Sequence, residues 1–210
     1  STFPPKKCGI GVYSDNLLNG LKKVDKDLKI ITIGTKDSDV DYKLDLKSPL
    51  LKYKLKDIIK KEKIQLIHIQ HNYPHFCKFF NMNLLRALKL SISTVVTLHE
   101  VQYPRKLGFF KKIRLDILKM IEKTIVRRAS KVIVHSHKQK SFLKSKNVVC
   151  VYHGLELFQE NKRKDKNLLF LGIIQPTKGV HILIKAMDYL KGYNLTIAGN
   201  VPDSKYKALL

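Results

Sequence analysis

The chain has 210 residues, of which 44% are hydrophobic, and it carries a formal net charge of +24 at pH 7. That hydrophobic share suffices for a buried core and excludes a disordered chain, while no run approaches the ~20 apolar residues of a membrane-spanning helix. Only six of the 41 basic residues are arginine, and the lysines are spread along the chain. A nucleic-acid interface, which favours arginine, is therefore a weaker explanation than affinity for an anionic membrane surface.

Short runs rich in isoleucine and valine predict seven strands, as expected where strands are buried on both faces of a parallel sheet. They cover residues 28–34, 64–70, 93–99, 131–136, 147–153, 167–173 and 194–199. Apolar residues at helical spacing predict helices between most of them. These are the sets Ile10 to Leu21, Phe76 to Leu88 and Phe110 to Ile125, and the segment 181–190. Strands that alternate with helices predict an α/β fold, in which ligands bind at the carboxyl ends of the strands.

The polar, charged segment 155–167 is the best domain boundary. We expect one α/β domain at residues 1–155, and the beginning of a second at 156–210, which is too short for a full sheet. The first loop and helix have no strand before them, so we expect the first domain to lack its opening strand.

Cysteine usage favours a reducing compartment. Cys8, Cys77 and Cys150 are widely spaced and form no C-x-x-C pair, so neither a disulfide framework nor a zinc knuckle is indicated. The N-terminal residues include no apolar secretion signal. The sequence predicts a cytoplasmic protein, peripheral to a membrane if the basic surface binds lipid.

The loop "KKCGIGVYSDNLL" is the first candidate site, because Gly9 and Gly11 open a predicted helix just after two lysines. Glycines let backbone amides approach a ligand, and a helix N-terminus favours phosphate. A diphosphate cradle and a plain glycine-rich turn both fit. A Rossmann dinucleotide fingerprint does not, because its third glycine would fall at Ser14.

Other strand ends carry further candidates. Lys178 and Gly179 follow the strand at 167–173, where a lysine can hold an anion or simply be solvated. His99 ends the strand at 93–98 and can exchange hydrogen bonds with a substrate hydroxyl or with a neighbouring loop.

A metal site among His68, His71 and His75 is disfavoured, because alternation along the strand sends the first two to opposite faces. His71, at the exit of its strand, is instead a candidate substrate contact. The segment 109–128 predicts a basic amphipathic helix, which either packs its apolar stripe on the core or lies on anionic lipid.

Taken in order, these segments resemble a retaining glycosyltransferase of the GT-B fold, in family 4 (glycogen synthase-like, mannosyltransferase-like). The resemblance rests on six segments: "STFPPKKCGIGVYSDNLLNGL", "IHIQHNY", "VVTLHE", "ASKVIVHSHKQKSFL", "VYHGLE" and "LLFLGIIQPTKGVHILIKAM", with "LTIAG" as the next strand. It implies a Rossmann-like N-terminal domain followed by the start of a second Rossmann-like domain that binds the nucleotide sugar.

The resemblance also implies roles for individual residues. His99 would contact the transferred sugar as the catalytic residue. Donor binding would fall to Gly9, Ile10, Gly11, Lys178 and Gly179. Acceptor binding is assigned to Tyr13 and His71. The family needs no metal and no cofactor, and the donor would be a UDP- or GDP-linked sugar with a glycan or lipid-linked acceptor.

Two departures qualify this expectation. The family commonly has an arginine shortly before Lys178, where this chain has Ile173, Ile174 and Gln175. The family's two glutamates, seven residues apart, would fall beyond Leu210, so we do not expect this chain alone to catalyse transfer. Two alternatives stay open: a nucleotide-sugar epimerase of the same fold, and a non-catalytic basic module that binds nucleic acid or anionic membrane.

Overall fold

The computed structural model describes residues 2–6, 8–73, 82–104, 108–154, 166–201 and 206. The chain divides into two compact units, residues 1–154 and 155–210. The first unit contains, in chain order, α1 (Gly9–Val24), β1 (Ile33–Gly34), β2 (Tyr42–Lys43), α2 (Leu51–Glu62), β3 (Leu66–His71), α3 (Met82–Ala87), β4 (Ser93–Leu98), α4 (Phe109–Arg128), β5 (Lys131–Val134), α5 (His137–Leu143) and β6 (Val148–Cys150).

The centre of the first unit is a four-stranded sheet in the order β3-β4-β5-β6, with every neighbouring pair parallel. Val96, Val132 and Val148 lie side by side across three strands and are almost completely buried. Branched side chains of this kind pack well on a pleated surface. Because the strands are parallel, their carboxyl ends share one edge, which is where His99 and His135 emerge.

Helices α2 and α4 complete the core of this unit. Ile121 and Ile125 of α4 are 1% and 0% exposed, and Leu51 and Ile58 of α2 are also buried. All four belong to one hydrophobic cluster with the central strands. The core-facing stripe expected for the helix at 109–128 is therefore present over its second half.

A second, small sheet pairs β1 with β2 in parallel. A cavity of about 770 Å³ is lined by apolar residues of α1 and α2, by residues 28–33 and by β3. Among the described strands, β3 is hydrogen-bonded only to β4, so its other edge borders this cavity.

The second unit contains β7 (Asn167–Leu171), a 3₁₀ turn (Pro176–Lys178), α6 (Val180–Ala186), a second 3₁₀ turn (Met187–Tyr189) and β8 (Asn194–Ala198). β7 and β8 form a two-stranded parallel sheet of their own. Its small core is built on Ile174, Val180 and Tyr206.

The α/β prediction with parallel sheets is confirmed, while several element limits are corrected. The strand predicted at 28–34 is a strand only at Ile33–Gly34, and the one at 147–153 only at Val148–Cys150. Helix α2 and strand β2 were not predicted. Of the helix expected from Phe76 to Leu88, residues 82–87 are helical, and its beginning lies outside the described residues. In the described part of the chain, none of the helices combines the length and apolar content that crossing a bilayer demands.

Candidate functional site

The first helix presents three amides at its N-terminus. The first main-chain bond of α1 runs from Val12 N to Cys8 O at 3.1 Å, so the amides of Gly9, Ile10 and Gly11 precede the helical ladder. Such amides favour an anion. The helix is 16 residues long, and its first turn includes no acidic residue that would oppose one.

Gly11 has a packing role that needs no ligand. A Cβ at this position would lie 3.4 Å from the carbonyl oxygen of Thr2 and 3.5 Å from the Cα of Phe3. The N-terminal segment therefore lies directly on the helix at Gly11, whereas the space around Gly9 is open.

Cys8 occupies the N-cap position of α1. Burial acts to raise the pKa of its thiol, but a hydrogen bond with Thr2, the amides of Gly11 and Ile10 and the charge of Lys6 together lower that pKa. The sulfur faces these amides without completing a cap hydrogen bond of normal geometry. It therefore shares the electropositive helix end that the sequence assigns to a diphosphate.

One turn further along α1, the ring of Tyr13 meets three imidazoles. Its centroid lies 4.9 Å from that of His99, and 5.2 Å from those of His135 and His153, all in edge-on geometry. These three residues, called the histidine cluster below, follow β4, β5 and β6 respectively. Parallel pairing brings the three strand ends together, and α1 covers them with Tyr13.

Hydrogen bonds orient two rings of the cluster. His99 Nε2 lies 3.0 Å from Gln70 Oε1, an acceptor, so this nitrogen carries the proton. The amide nitrogen of Gln70 lies 3.3 Å from His68 Nε2, which is also 2.8 Å from Thr97 Oγ1. His135 Nδ1 donates to the carbonyl oxygen of Val151 at 2.9 Å. Side chains of β3 and β4 thus hold His99 in place.

Burial favours the neutral form of two of the three histidines, His99 and His135. Burial, followed by the nearby His135, His153 and His68, lowers the pKa of His99 to about 4. Burial also lowers the pKa of His135, against a raising contribution from its bond to Val151. A neutral imidazole offers one donor and one acceptor, which suits hydroxyl groups better than it suits phosphate charge.

His71 does not reach this surface. Its ring is fully buried and packs edge-on against Tyr73, with centroids 4.7 Å apart. The described residues leave the ring no exposed area that an acceptor substrate could touch. Its assignment to acceptor binding stays a prediction. His75 lies outside the described residues.

A buried carboxylate fixes the loops beside the cluster. Glu122 of α4 is 2% exposed, and its Oε1 accepts from the Tyr73 hydroxyl at 2.5 Å and from the Gln102 amide at 2.7 Å. Tyr73 follows β3 and Gln102 follows β4, so one atom ties both strand exits to the helix. Burial raises the pKa of Glu122, while these two hydrogen bonds act to lower it.

In the second unit, Lys178 ends the 3₁₀ turn that follows β7, and its side chain is exposed. Gly179 comes next with φ of 70°, a left-handed conformation that favours glycine. Ile174, at one of the positions where an arginine was expected, lies in the small core of this unit. Lys178 is therefore accessible to solvent, and the left-handed backbone conformation explains why residue 179 is a glycine.

Sequence analysis brought His99 and Tyr13 forward but missed His135, His153 and Gln70. The missed histidines lie at the carboxyl ends of the strands predicted at 131–136 and 147–153. Their position at adjacent parallel strand ends was the signal that could have found them.

Both the sequence and the fold of this chain resemble those of known proteins. Residues 8–157 match the family described as Glycosyltransferase Family 4. The structure titled "Crystal Structure of TarM" is similar with a TM-score of 0.55 and 15% sequence identity, over 76% of this chain and 32% of that one. The chain thus spans about a third of the length of TarM. No curated protein matches the chain in sequence. The predicted GT-B type of α/β fold is confirmed, and the chain belongs to glycosyltransferase family 4.

Proposed function

We propose that this protein is a hexosyltransferase that moves a sugar from a nucleotide-diphosphate sugar, UDP- or GDP-linked, to a hydroxyl of a glycan or lipid-linked acceptor, with retention. Family membership carries the class of reaction. The observation that supports a substrate site in this chain is the neutral pair of Tyr13 and His99, placed at the carboxyl edge of the sheet beside the N-terminal amides of α1.

The chemistry assigns separate tasks to the two kinds of group. Departure of the nucleotide diphosphate concentrates negative charge on its oxygens, and preorganised amides and cations stabilise that charge. The amides of Gly9, Ile10 and Gly11 are of this kind in the first unit, and Lys178 with Gly179 is the candidate in the second. His99, whose Nε2–H is donated to Gln70, keeps a lone pair on its other nitrogen that can accept from a sugar hydroxyl.

The acceptor side is assigned to Tyr13. Burial raises the pKa of its hydroxyl, partly offset by a hydrogen bond with Thr97, so the group stays protonated and can donate. A phenol beside the neutral imidazole of His99 positions an uncharged acceptor without adding charge to the site.

Titration calorimetry of the chain with UDP- and GDP-sugars tests donor binding. Lys178→Ala is expected to weaken donor affinity about 10- to 100-fold, since hydrogen bonds to charged groups contribute about 1.5–3 kcal/mol. Lys185→Ala is the matched control, because Lys185 is also an exposed lysine of the second unit. Equal affinities for the two variants would remove Lys178 from the site, and indifference to every nucleotide sugar would contradict the proposal.

The same assays separate the two alternatives. An epimerase would isomerise the donor sugar and transfer nothing to an acceptor, which NMR analysis of the products would show. A basic module would ignore nucleotides and bind DNA or anionic vesicles with a steep dependence on salt.

We also propose that the protein is cytoplasmic and lies against an anionic membrane surface through the start of α4. Phe109 and Phe110 are 73% and 85% exposed, and Lys111 and Lys112 follow directly. Exposed aromatic residues next to lysines are typical of helices at a lipid interface.

Sedimentation with vesicles that contain phosphatidylserine tests this surface. The triple change of Lys112, Lys119 and Lys123 to glutamate is expected to reduce the bound fraction strongly. The control replaces Lys54, Lys56 and Lys60 of α2, three exposed lysines, and alters net charge equally. If both triple variants lose binding alike, the interaction is a general charge effect and not a property of α4.

A further inference from the structure

The histidine cluster has a geometry that substrate contacts alone do not require. One ring nitrogen from each of His99, His135 and His153 lies within 4.8 Å of the corresponding nitrogens of the other two. Three imidazoles that converge in this way bring three possible nitrogen ligands to one place. Sequence analysis singled out only the first of them.

The strongest single observation concerns His135. Its Nδ1–H is donated to the Val151 carbonyl, so its Nε2 carries the lone pair. That Nε2 is buried, and no described residue forms a hydrogen bond with it. An unpaired buried polar atom is destabilising, and a bound ligand would satisfy it.

The surroundings of the cluster match those of metal-binding histidines. Such residues characteristically donate their second ring N–H to a carbonyl or carboxylate, which fixes the ring and its tautomer. His135 does so to Val151, and His99 donates to the side-chain carbonyl of Gln70. Two of the three rings are therefore held by outer partners, on two different strand ends.

The third ring can close the site. A tetrahedral zinc with nitrogen ligands at 2.0–2.1 Å holds these atoms about 3.3 Å apart, so the cluster needs a small contraction. His153 is exposed in residues 151–154, which are outside any helix or strand, and its ring stacks on His135 with centroids 3.8 Å apart. Its movement would disturb no core contact.

We propose that His99, His135 and His153 form a binding site for one borderline divalent transition-metal ion, with Zn²⁺ the best-suited probe. Imidazole nitrogens suit Zn²⁺, Cu²⁺ and Ni²⁺ rather than Mg²⁺ or Ca²⁺. Three protein ligands leave the fourth position of a tetrahedral ion open. The metal site does not presuppose the proposed transfer reaction, but it shares His99 with it, so an ion bound there would occupy the lone pair assigned to a sugar hydroxyl.

The experiment uses the full chain without a polyhistidine tag, stripped of metal with a chelator. Zn²⁺ calorimetry and the visible absorption of Co²⁺ are measured on wild type, His135→Ala, His153→Ala and Gln70→Leu. We expect one ion per chain and a Co²⁺ spectrum of tetrahedral type. Each histidine variant is expected to weaken Zn²⁺ binding at least ~100-fold, and Gln70→Leu about 10-fold, as for an outer partner.

His137→Ala is the matched control, because His137 is exposed and two residues from His135. It should bind Zn²⁺ like wild type. Far-UV circular dichroism of His153→Ala, a change in an exposed loop, shows that lost binding is not lost folding. The proposal is overturned if wild type binds Zn²⁺ no better than His153→Ala, if His137→Ala weakens binding as much, or if binding is absent at ~0.1 mM. The last result would show that the three histidines pack together without binding a metal ion.

Discussion

Replacing Glu122 with alanine tests how the strand exits near the histidine cluster are held. In the native chain, one carboxylate oxygen accepts from the Tyr73 hydroxyl in a buried hydrogen bond and from the Gln102 amide in a partly buried one. Glu122→Ala leaves one buried donor and one partly buried donor without their acceptor. Each orphaned donor costs about 1–3 kcal/mol, and relief from burying a carboxylate offsets part of that cost. We expect a net loss of about 2–4 kcal/mol.

Urea unfolding followed by far-UV circular dichroism measures this loss as a lower midpoint at an unchanged slope. Hydrogen exchange should show faster exchange at residues 99–103, next to His99, than at residues 131–134. Glu122→Gln is the control, because its side-chain oxygen can still accept from both donors, and we expect it to lose less than half as much. A loss below about 1 kcal/mol for alanine, or equal losses for both variants, would refute the reasoning.

The same carboxyl predicts a pH dependence. Burial raises the pKa of Glu122 above its ordinary value of 4.5, so the protonated form favours the folded state. This contribution is fully present below pH 4.5 and is lost as the pH rises through the raised pKa of the folded state. Wild type should therefore lose stability relative to Glu122→Gln between pH 4.5 and pH 8. A difference that stays constant or grows in favour of wild type would contradict this sign.

Two further predictions concern other parts of the chain. A Cβ on Gly199 would lie 1.7 Å from the Gly172 carbonyl oxygen, so Gly199→Ala is expected to cost about 2–3 kcal/mol and to abolish exchange protection in β7 and β8. Gly20→Ala, whose Cβ would meet nothing within 4 Å, should instead stabilise α1 by about 0.5–1 kcal/mol, and equal effects would disprove the clash. The lowered pKa of Cys8 predicts faster alkylation by iodoacetamide at pH 7 than N-acetylcysteine shows, read by peptide mass spectrometry; an equal or slower rate would count against it.

The alternation of elements was predictable because buried parallel strands are short, apolar and separated by helices. Helix α2 was not predicted because its segment, "LKYKLKDIIKKE", is dominated by lysine, and only Leu51 and Ile58 are buried. The strand predicted at 28–34 failed for a different reason. Apolar residues such as Ile30 and Ile31 line the cavity instead of pairing in a sheet.

The candidate site was predictable one strand end at a time, but its composition was not. His99 stands out because it follows a long apolar strand, whereas the partnership with His135 and His153 depends on strand order and register. Glu122 illustrates the same limit. On a helix rich in lysine it reads as a solvated residue, and only tertiary packing shows that it is buried beneath two strand exits.

The cavity beside β3 and the net charge of the chain have opposite effects on self-association in solution. An open strand edge next to an apolar hollow attracts extended apolar segments, including those of other copies. A net charge of +24 keeps such copies apart as long as their fields reach across the gap. Added salt shortens that reach to about 10 Å at 0.1 M. The chain should therefore stay dispersed in dilute buffer and associate as ionic strength rises, the reverse of the salting-in expected for a protein near electroneutrality.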